Sequence, residues 1–406
     1  MNRRFAGRPL QTVTAECFVC LALCRAESAF ESADSFAVIR ATRIQPSGQE
    51  FRRRSVLQVM PSASTQVMRT IGFAVTSCIA FATHLAVAAS CLTQSQMPAA
   101  ERDVLASQAR SFVLLAQSGD TASLRARTLP AIASDFDAIA STVMTLKPQM
   151  QNASITVDDL YLLDASKDQP GAERTQFFCG APTVVLTFNG IPAGNYALAI
   201  LHATGVPHPL QISIILAAVP TNQWQLGGFY ARPMLEGDHD GLWYWVSARK
   251  YAQDHANLTA WLYYRIAEDL LSPVDFLSSP NLQKLQQETQ QARPPALSPN
   301  STMMLNADGV TFSVTNVGTT TEFAGLDLDL HYTPDPTQAN QLRTPVAARQ
   351  QVTNLMRAIL REHPELRQAF HGIWAHADQG QSNLFSLELP MDQIAAAQTP
   401  LPPGAH

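Results

Sequence analysis

Six segments between residues 155 and 231 alternate with a period of two, and this constrains the fold more than any other feature of the chain. They are residues 155–163, 175–180, 183–189, 196–202, 210–219 and 223–231, each bounded by Gly, Pro or Asn as strands require. Asn189-Gly190-Ile191-Pro192-Ala193-Gly194-Asn195 marks a turn between two of them. Ahead of this block the period is helical. Leu105, Ala109, Phe112 and Ala116 form a stripe within residues 100–118, widened by Val113 and Leu115. Gly119-Asp120 stops that helix, and further helices are expected over 121–129 and 132–144. Helices first and then a run of antiparallel strands define an α+β unit, with helices packed on a curled antiparallel sheet.

The amino-terminal part reads as an address. Residues 1–67 contain nine Arg and no Lys, and apart from a short apolar run near 17–23 they show no sustained periodicity. Met68-Arg69-Thr70, the apolar run 71–85 and Ala86-Val87-Ala88-Ala89-Ser90 together have the form of an export signal spanning 68–89. The apolar run is short for a membrane span, which needs about 20 residues. Residues 1–67 are therefore expected to be a non-native or disordered extension ahead of a true start at Met68, and the mature protein is expected to be periplasmic or secreted. Removing residues 1–89 takes ten Arg and five acids from totals of 28 basic and 33 acidic residues, which moves the net charge from −5 to −10. The charge balance argues against a nucleic-acid binder, which needs a basic patch to neutralise phosphates.

Of six cysteines, only Cys91 and Cys179 follow the signal. In an oxidising compartment they are expected to pair. The competing reading takes Ala88-Ala89-Ser90-Cys91 as a lipobox, with a lipid on Cys91 and an outer-membrane address. A membrane is a partner only under that second reading.

The order of helices and strands resembles the nuclear-transport-factor-2-like, or cystatin-like, fold across residues 91–233. The segment Gln223-Trp224-Gln225-Leu226-Gly227-Gly228-Phe229-Tyr230 is similar to the last strand of such domains. The resemblance implies a cone between helices and sheet that holds a small molecule, a reaction centre or solid core. Tyr196, His202, Trp224 and Tyr230 share strand parity and are the candidates to line it, against the reading that they are ordinary packing residues.

Residues 242–254 and 258–271 are two amphipathic stretches. Tyr244, Ser247, Ala248, Tyr251, Ala260, Tyr264 and Ala267 within them resemble one tetratricopeptide unit, with small residues where two helices cross. A third helix over 281–292 is expected to cap the pair, so 238–292 forms a helical hairpin with a capping helix. Residues 293–300 read as a linker. The remainder, 301–399, reads as a small α+β unit of order ββαββ, with strands at 311–316, 326–331, 370–376 and 384–389 and a helix over 345–361; residues 400–406 form a tail.

Asp327, Asp329 and His331 alternate along one strand of this last unit. Ligands at i, i+2 and i+4 converge on a cation if the strand coils and a further donor arrives. The plainer reading makes them the solvent face of a strand whose Leu326, Leu328 and Leu330 point inward. Asp240 is placed to cap the helix beginning near Leu242.

The chain carries no His-Glu-x-x-His helix, Gly-x-Ser-x-Gly elbow, phosphate-cradling loop or dinucleotide fingerprint, so no catalytic residue and no cofactor is assigned. The whole order is similar to exported bacterial proteins of no known activity. The expected role is a non-enzymatic binding or scaffold protein with a protein or small-molecule partner. The alternatives are an enzyme of unfamiliar type using the cone, or a lipid-anchored envelope assembly factor.

Overall fold

The computed structural model describes residues 89–167, 173–220, 223–298, 301–323 and 325–396. The expected extension at 1–67, nearly all of the expected export signal at 68–89 and the expected tail at 400–406 lie outside these residues. The chain is α+β, with open, mainly antiparallel sheets and helices laid against them.

Strand β1 (Ser90–Thr93) enters first, followed by α1 (Ala99–Ser118), α2 (Thr121–Ala126), α3 (Pro130–Ala133) and α4 (Asp137–Leu146). Helix α1 ends at Gly119, whose φ of 75° is left-handed and easy only for glycine. Asp120 then accepts the Ser123 amide and starts α2. The helix expected over 132–144 is two pieces, α3 and α4, broken at residues 134–136.

The six alternating segments form β2 (Ser154–Asp164), β3 (Arg174–Cys179), β4 (Val184–Asn189), β5 (Asn195–Thr204), β6 (Leu210–Val219) and β7 (Gln223–Pro233). They do not make one sheet. Strands β1-β2-β5-β6-β7 form a five-stranded antiparallel sheet, and the β3–β4 hairpin belongs to a separate three-stranded one. The main sheet is covered on both faces. On one face, Leu105, Phe112 and Val113 of α1 pack with Ala199, Leu201, Ile212 and Ile214. On the other, Phe177, Leu186 and Phe188 of the hairpin pack with Leu198, Ile200 and Ile215. Burial on both sides explains why β5 and β6 read as near-continuous apolar runs.

Strands β8 (Leu235–Glu236) and β9 (His239–Asp240) lead into α5 (Gly241–Gln253) and α6 (Asn257–Leu271). Asp240 caps α5 by accepting the Trp243 amide at 2.8 Å. Strand β10 (Leu277–Ser278) joins β4, and α7 (Pro280–Ala292) follows. Glu288 of α7 accepts Trp245 Nε1 at 2.7 Å and both arms of Arg249 at 2.8 and 2.9 Å, which fastens this helix to α5. Part of the expected linker at 293–300 is a short helical turn, Pro295–Leu297.

The last unit is β11 (Met303–Ala307), β12 (Val310–Thr320), β13 (Asp327–Thr333), α8 (Pro336–Gln341), α9 (Pro345–Glu362), α10 (Leu366–Ala369), β14 (Gly372–Gln379), β15 (Ser382–Pro390) and α11 (Met391–Ala396). Its five strands stand in chain order, with β13 and β14 parallel and the other pairs antiparallel. The added strand β11, with the short helices α8, α10 and α11, extends the expected ββαββ order to βββαααββα. Ala348, Val352, Leu355, Met356 and Ile359 of α9 press on one sheet face, sharing a single core with Tyr244, Tyr263 and Tyr264 of the helical hairpin. A bulge between Val314 and Asn316 turns both Val314 and Val317 into that core despite their odd spacing.

Cys91 and Cys179 form a disulfide with their Cα atoms 5.1 Å apart, and Cys179 is fully buried. The bridge ties β1 to the end of β3, across a sequence separation of 88. Chain-entropy reasoning gives a loop of this size about 4–5 kcal/mol of stabilisation. The Cys91→Ser/Cys179→Ser protein is expected to lose much of that amount in denaturant unfolding, and a change below about 1 kcal/mol would show the bridge to be energetically idle.

Candidate metal centre

One face of the C-terminal sheet is buried under α9. The other carries the polar side chains of β13, β14 and β15. Asp327, Asp329 and His331 alternate along β13 on this second face, opposite the buried Leu328 and Leu330. Parallel pairing sets His331 beside His376 and Asp329 beside Trp374. Antiparallel pairing then sets His376 beside Ser386 and Trp374 beside Glu388. Two groups of donors result, Asp329–His331–His376 and Asp327–His371–Glu388, and the donor atoms within each lie within 4.8 Å of one another.

In the first group both imidazoles turn Nε2 toward Asp329, His331 at 3.3 Å and His376 at 3.2 Å. The rings stack with centroids 4.5 Å apart and planes 14° apart. Their other nitrogens are already engaged. His331 Nδ1 lies 2.6 Å from Asp378 Oδ2. Asn383 donates its amide to Asp378 Oδ1 and accepts the Ser386 hydroxyl, so Ser386 Oγ in turn accepts from His376 Nδ1 at 2.8 Å. With each Nδ1 engaged by an outer partner, it is the Nε2 of each ring that faces Asp329. Outer partners on the far ring nitrogen are characteristic of metal-bound histidine. Gly318 of β12 stands opposite Asp329, so no side chain from that strand closes the approach. Trp374 packs on His376 at 4.3 Å between ring centroids, and Phe323 packs edge-on against Trp374 at 5.1 Å.

The electrostatics follow from the contacts. Burial would raise the Asp329 carboxyl, but hydrogen bonds and charge from His331 and His376 overcome it and hold the pKa at about 2. The hydrogen bond to Asp329 raises His331 to about 9, with Asp378 adding to it and burial opposing. Burial, reinforced by the nearby Asp327 charge, raises the Glu388 carboxyl above its usual range.

The structure divides the three residues expected to act together. Asp329 and His331 share the first group, whereas Asp327 belongs to the second. Nor is Asp327 on an open solvent face: its side chain has no exposed surface, being covered from the His371 and Glu388 side. His371, His376, Asp378, Ser386 and Glu388 were not singled out from sequence. Trp374, His376 and Asp378 do alternate like the β13 triplet, but nothing local declares that β14 lies beside β13.

The four residues expected to line a cone do not share a face. A bulge where Ile215 and Leu216 meet Gly228 and Leu226 reverses the parity of β7. Trp224 thus packs on the helix side, while Tyr196 lies with the hairpin and Tyr230 meets Phe276 edge-on. Tyr196 donates its hydroxyl to Pro192 O at 2.7 Å. His202 Nε2 is 3.4 Å from Gln211 Oε1 and 3.8 Å from Asp158 Oδ2. Between helices and sheet, the space is filled by apolar side chains such as Leu105, Phe112, Leu124 and Met150.

Compared with known proteins, the chain matches no family model, no curated protein and no solved structure. Among the described residues, no helix is long and apolar enough to cross a membrane.

The metal-free protein has a pH signature. His331 faces Asp329 on its own strand and Asp378 and His376 on β14. Its raised pKa contributes stability below pH 6.5 that is lost as pH rises through about 9. The lowered pKa of Asp329 contributes stability above about pH 4 that is lost as pH falls through about 2. The thermal midpoint of the EDTA-treated protein is expected to fall between pH 6.5 and 9, and His331→Asn should remove most of that fall. An unchanged pH profile in the variant would show that the ion pairs contribute nothing.

Proposed function

We propose that this is an exported metal-binding protein that holds one divalent transition ion of the Zn2+ class on Asp329, His331 and His376. The observation that carries this reading is the commitment of both Nδ1 atoms to Asp378 and Ser386, which leaves both Nε2 atoms facing one carboxylate. Two imidazoles and a carboxylate suit zinc and its neighbours in the first transition row. Three protein donors leave coordination positions to be filled from solvent, and His331 and Asp329 remain 29% and 23% exposed. A donor group from a protein or small-molecule partner fills them, beside the aromatic wall of Trp374 and Phe323. The role is therefore binding rather than catalysis. Asp378, the nearest further carboxylate, is already engaged by His331 and Asn383 and is a poor general base.

The disulfide supports the exported address, because such bonds persist in oxidising compartments. It also engages the Cys91 sulfur that a lipid anchor would need. The resemblances to nuclear-transport-factor-2-like and tetratricopeptide units remain part of this reading.

Calorimetric titration with Zn2+ is expected to show one tight site per chain. His331→Ala and His376→Ala should each abolish it, and Asp378→Asn should weaken it about 10–100-fold through the outer shell. Tight binding that survives both histidine variants would refute the centre. Three protein donors are also the count of catalytic zinc sites. Ester hydrolysis by the Zn2+-loaded protein that disappears in His376→Ala would move the assignment from binding protein to enzyme.

A further inference from the structure

Asp327, His371 and Glu388 lie one step along the same sheet face, and they make a second arrangement of a different chemical character. Asp327 has no side-chain exposure, and among the described residues its side chain has one hydrogen-bonded partner, His371 Nδ1, 3.0 Å from Oδ1. Among the same residues its buried Oδ2 has no partner, and neither has Glu388 Oε1. A carboxylate withdrawn from water is costly unless a cation or hydrogen-bond donor meets it. The two carboxylates converge, with a donor oxygen of each within 4.8 Å of the other and of a His371 nitrogen. Asp327 Oδ1, the oxygen that His371 engages, and Glu388 Oε1 stand 2.9 and 3.1 Å from the point that a Cβ on Gly372 would occupy. Any other residue at 372 would fill the space between them.

His371 is held in place from both directions. Its amide donates to Leu326 O at 2.8 Å, and its carbonyl accepts the Met391 amide at 2.9 Å. Gly325 packs against its side chain so closely that a Cβ there would lie 2.7 Å from His371 Cβ. The His371 side chain itself is 39% exposed, which leaves an entry from solvent.

We infer that Asp327, Glu388 and His371 form a second cation site, one that takes a hard divalent ion of the Mn2+ class. Two carboxylates with one imidazole favour oxygen-seeking ions, whereas the two imidazoles of Asp329–His331–His376 favour zinc. The two sites are separate. Asp327 and Asp329 are two residues apart on one strand, about 6.6 Å, against the roughly 3.5–4 Å of a bridged metal pair. Gly372 leaves the opening beside the site, Asp327 and Glu388 are the anionic donors, and His371 supplies the imidazole from the solvent side.

The test uses the full protein and Mn2+ alone, with free Mn2+ read by electron paramagnetic resonance after one equivalent of Zn2+ has been added. The wild-type protein is expected to bind one Mn2+ per chain. Glu388→Gln should weaken this at least tenfold while leaving Zn2+ uptake unchanged. His376→Ala, titrated without Zn2+, should lose Zn2+ uptake but keep one Mn2+. Glu388 lies on the outer face of β15, and glutamine keeps its shape, so the far-ultraviolet circular dichroism of that variant should match wild type. Mn2+ binding that survives Glu388→Gln, or that disappears in His376→Ala, would overturn the second site and assign the ion to the first centre. No Mn2+ uptake by the wild-type protein would overturn it as well. Loss of Zn2+ uptake alone bears only on the first centre, so the two assignments fail separately.

Discussion

The parallel pairing of β13 with β14 is the contact on which the functional face depends. It joins two strands separated in sequence by three helices and places His331 beside His376 and Asp329 beside Trp374. A slip of one residue would turn every side chain of one strand to the opposite face. Asp329 and His331 would then enter the α9 core, and Leu328 and Leu330 would meet water. The register is therefore held by the apolar face. Leu328, Leu330, Tyr332, Ile373, Ala375 and Ala377 are all fully buried beneath α9. The polar donors owe their alignment to the hydrophobic side chains behind them.

That core extends beyond the small sheet. Tyr263 of α6 donates its hydroxyl to Ala369 O at 2.8 Å and meets Phe370 edge-on, just before β14 begins. Tyr244 of α5 donates to Glu236 O at 2.8 Å and packs at 5.1 Å from Tyr263. The helical hairpin thus supports the segment that leads into β14 from behind. Strand β10, following α6, adds an edge to the β3–β4 hairpin of the first unit. The hairpin is a connector between a doubly covered sheet and a sheet with one polar face, which gives a single pair of crossing helices a structural reason to exist.

Local pattern made much of this legible. The period-two runs located the strands from β2 to β7, and the Leu326, Leu328 and Leu330 spacing identified the inward face of β13. Asp240 announced the start of α5 because a side-chain cap acts over three residues. What pattern could not supply was non-local. The bulge near Gly227 and Gly228 reverses the parity of β7, so Trp224 and Tyr230 part company although their spacing puts them together. The site needs donors from strands that a crossover brings into contact. Asp327, Asp329 and His331 looked equivalent on one strand, yet their neighbours on β14 and β15 divide them between two groups.

The energetic oddity of the face is Asp327. A buried carboxylate with one unpartnered oxygen costs on the order of 1–3 kcal/mol, and an apolar side chain in a sheet this well packed would avoid that cost. Exposed acidic residues on a strand need no explanation, because water solvates them. An acid withdrawn from water beside a second carboxylate is different, since neither solvent nor its neighbour compensates its charge. Burial, with the Asp327 charge adding to it, raises the Glu388 carboxyl above its usual range. Natural sequences tolerate such local conflicts where something outside the chain resolves them. A bound cation does so at both carboxylates at once. Glycine at 372 keeps the approach to both open, since a Cβ there would lie 2.9 Å from Asp327 Oδ1 and 3.1 Å from Glu388 Oε1, as well as 2.8 Å from Leu389 O.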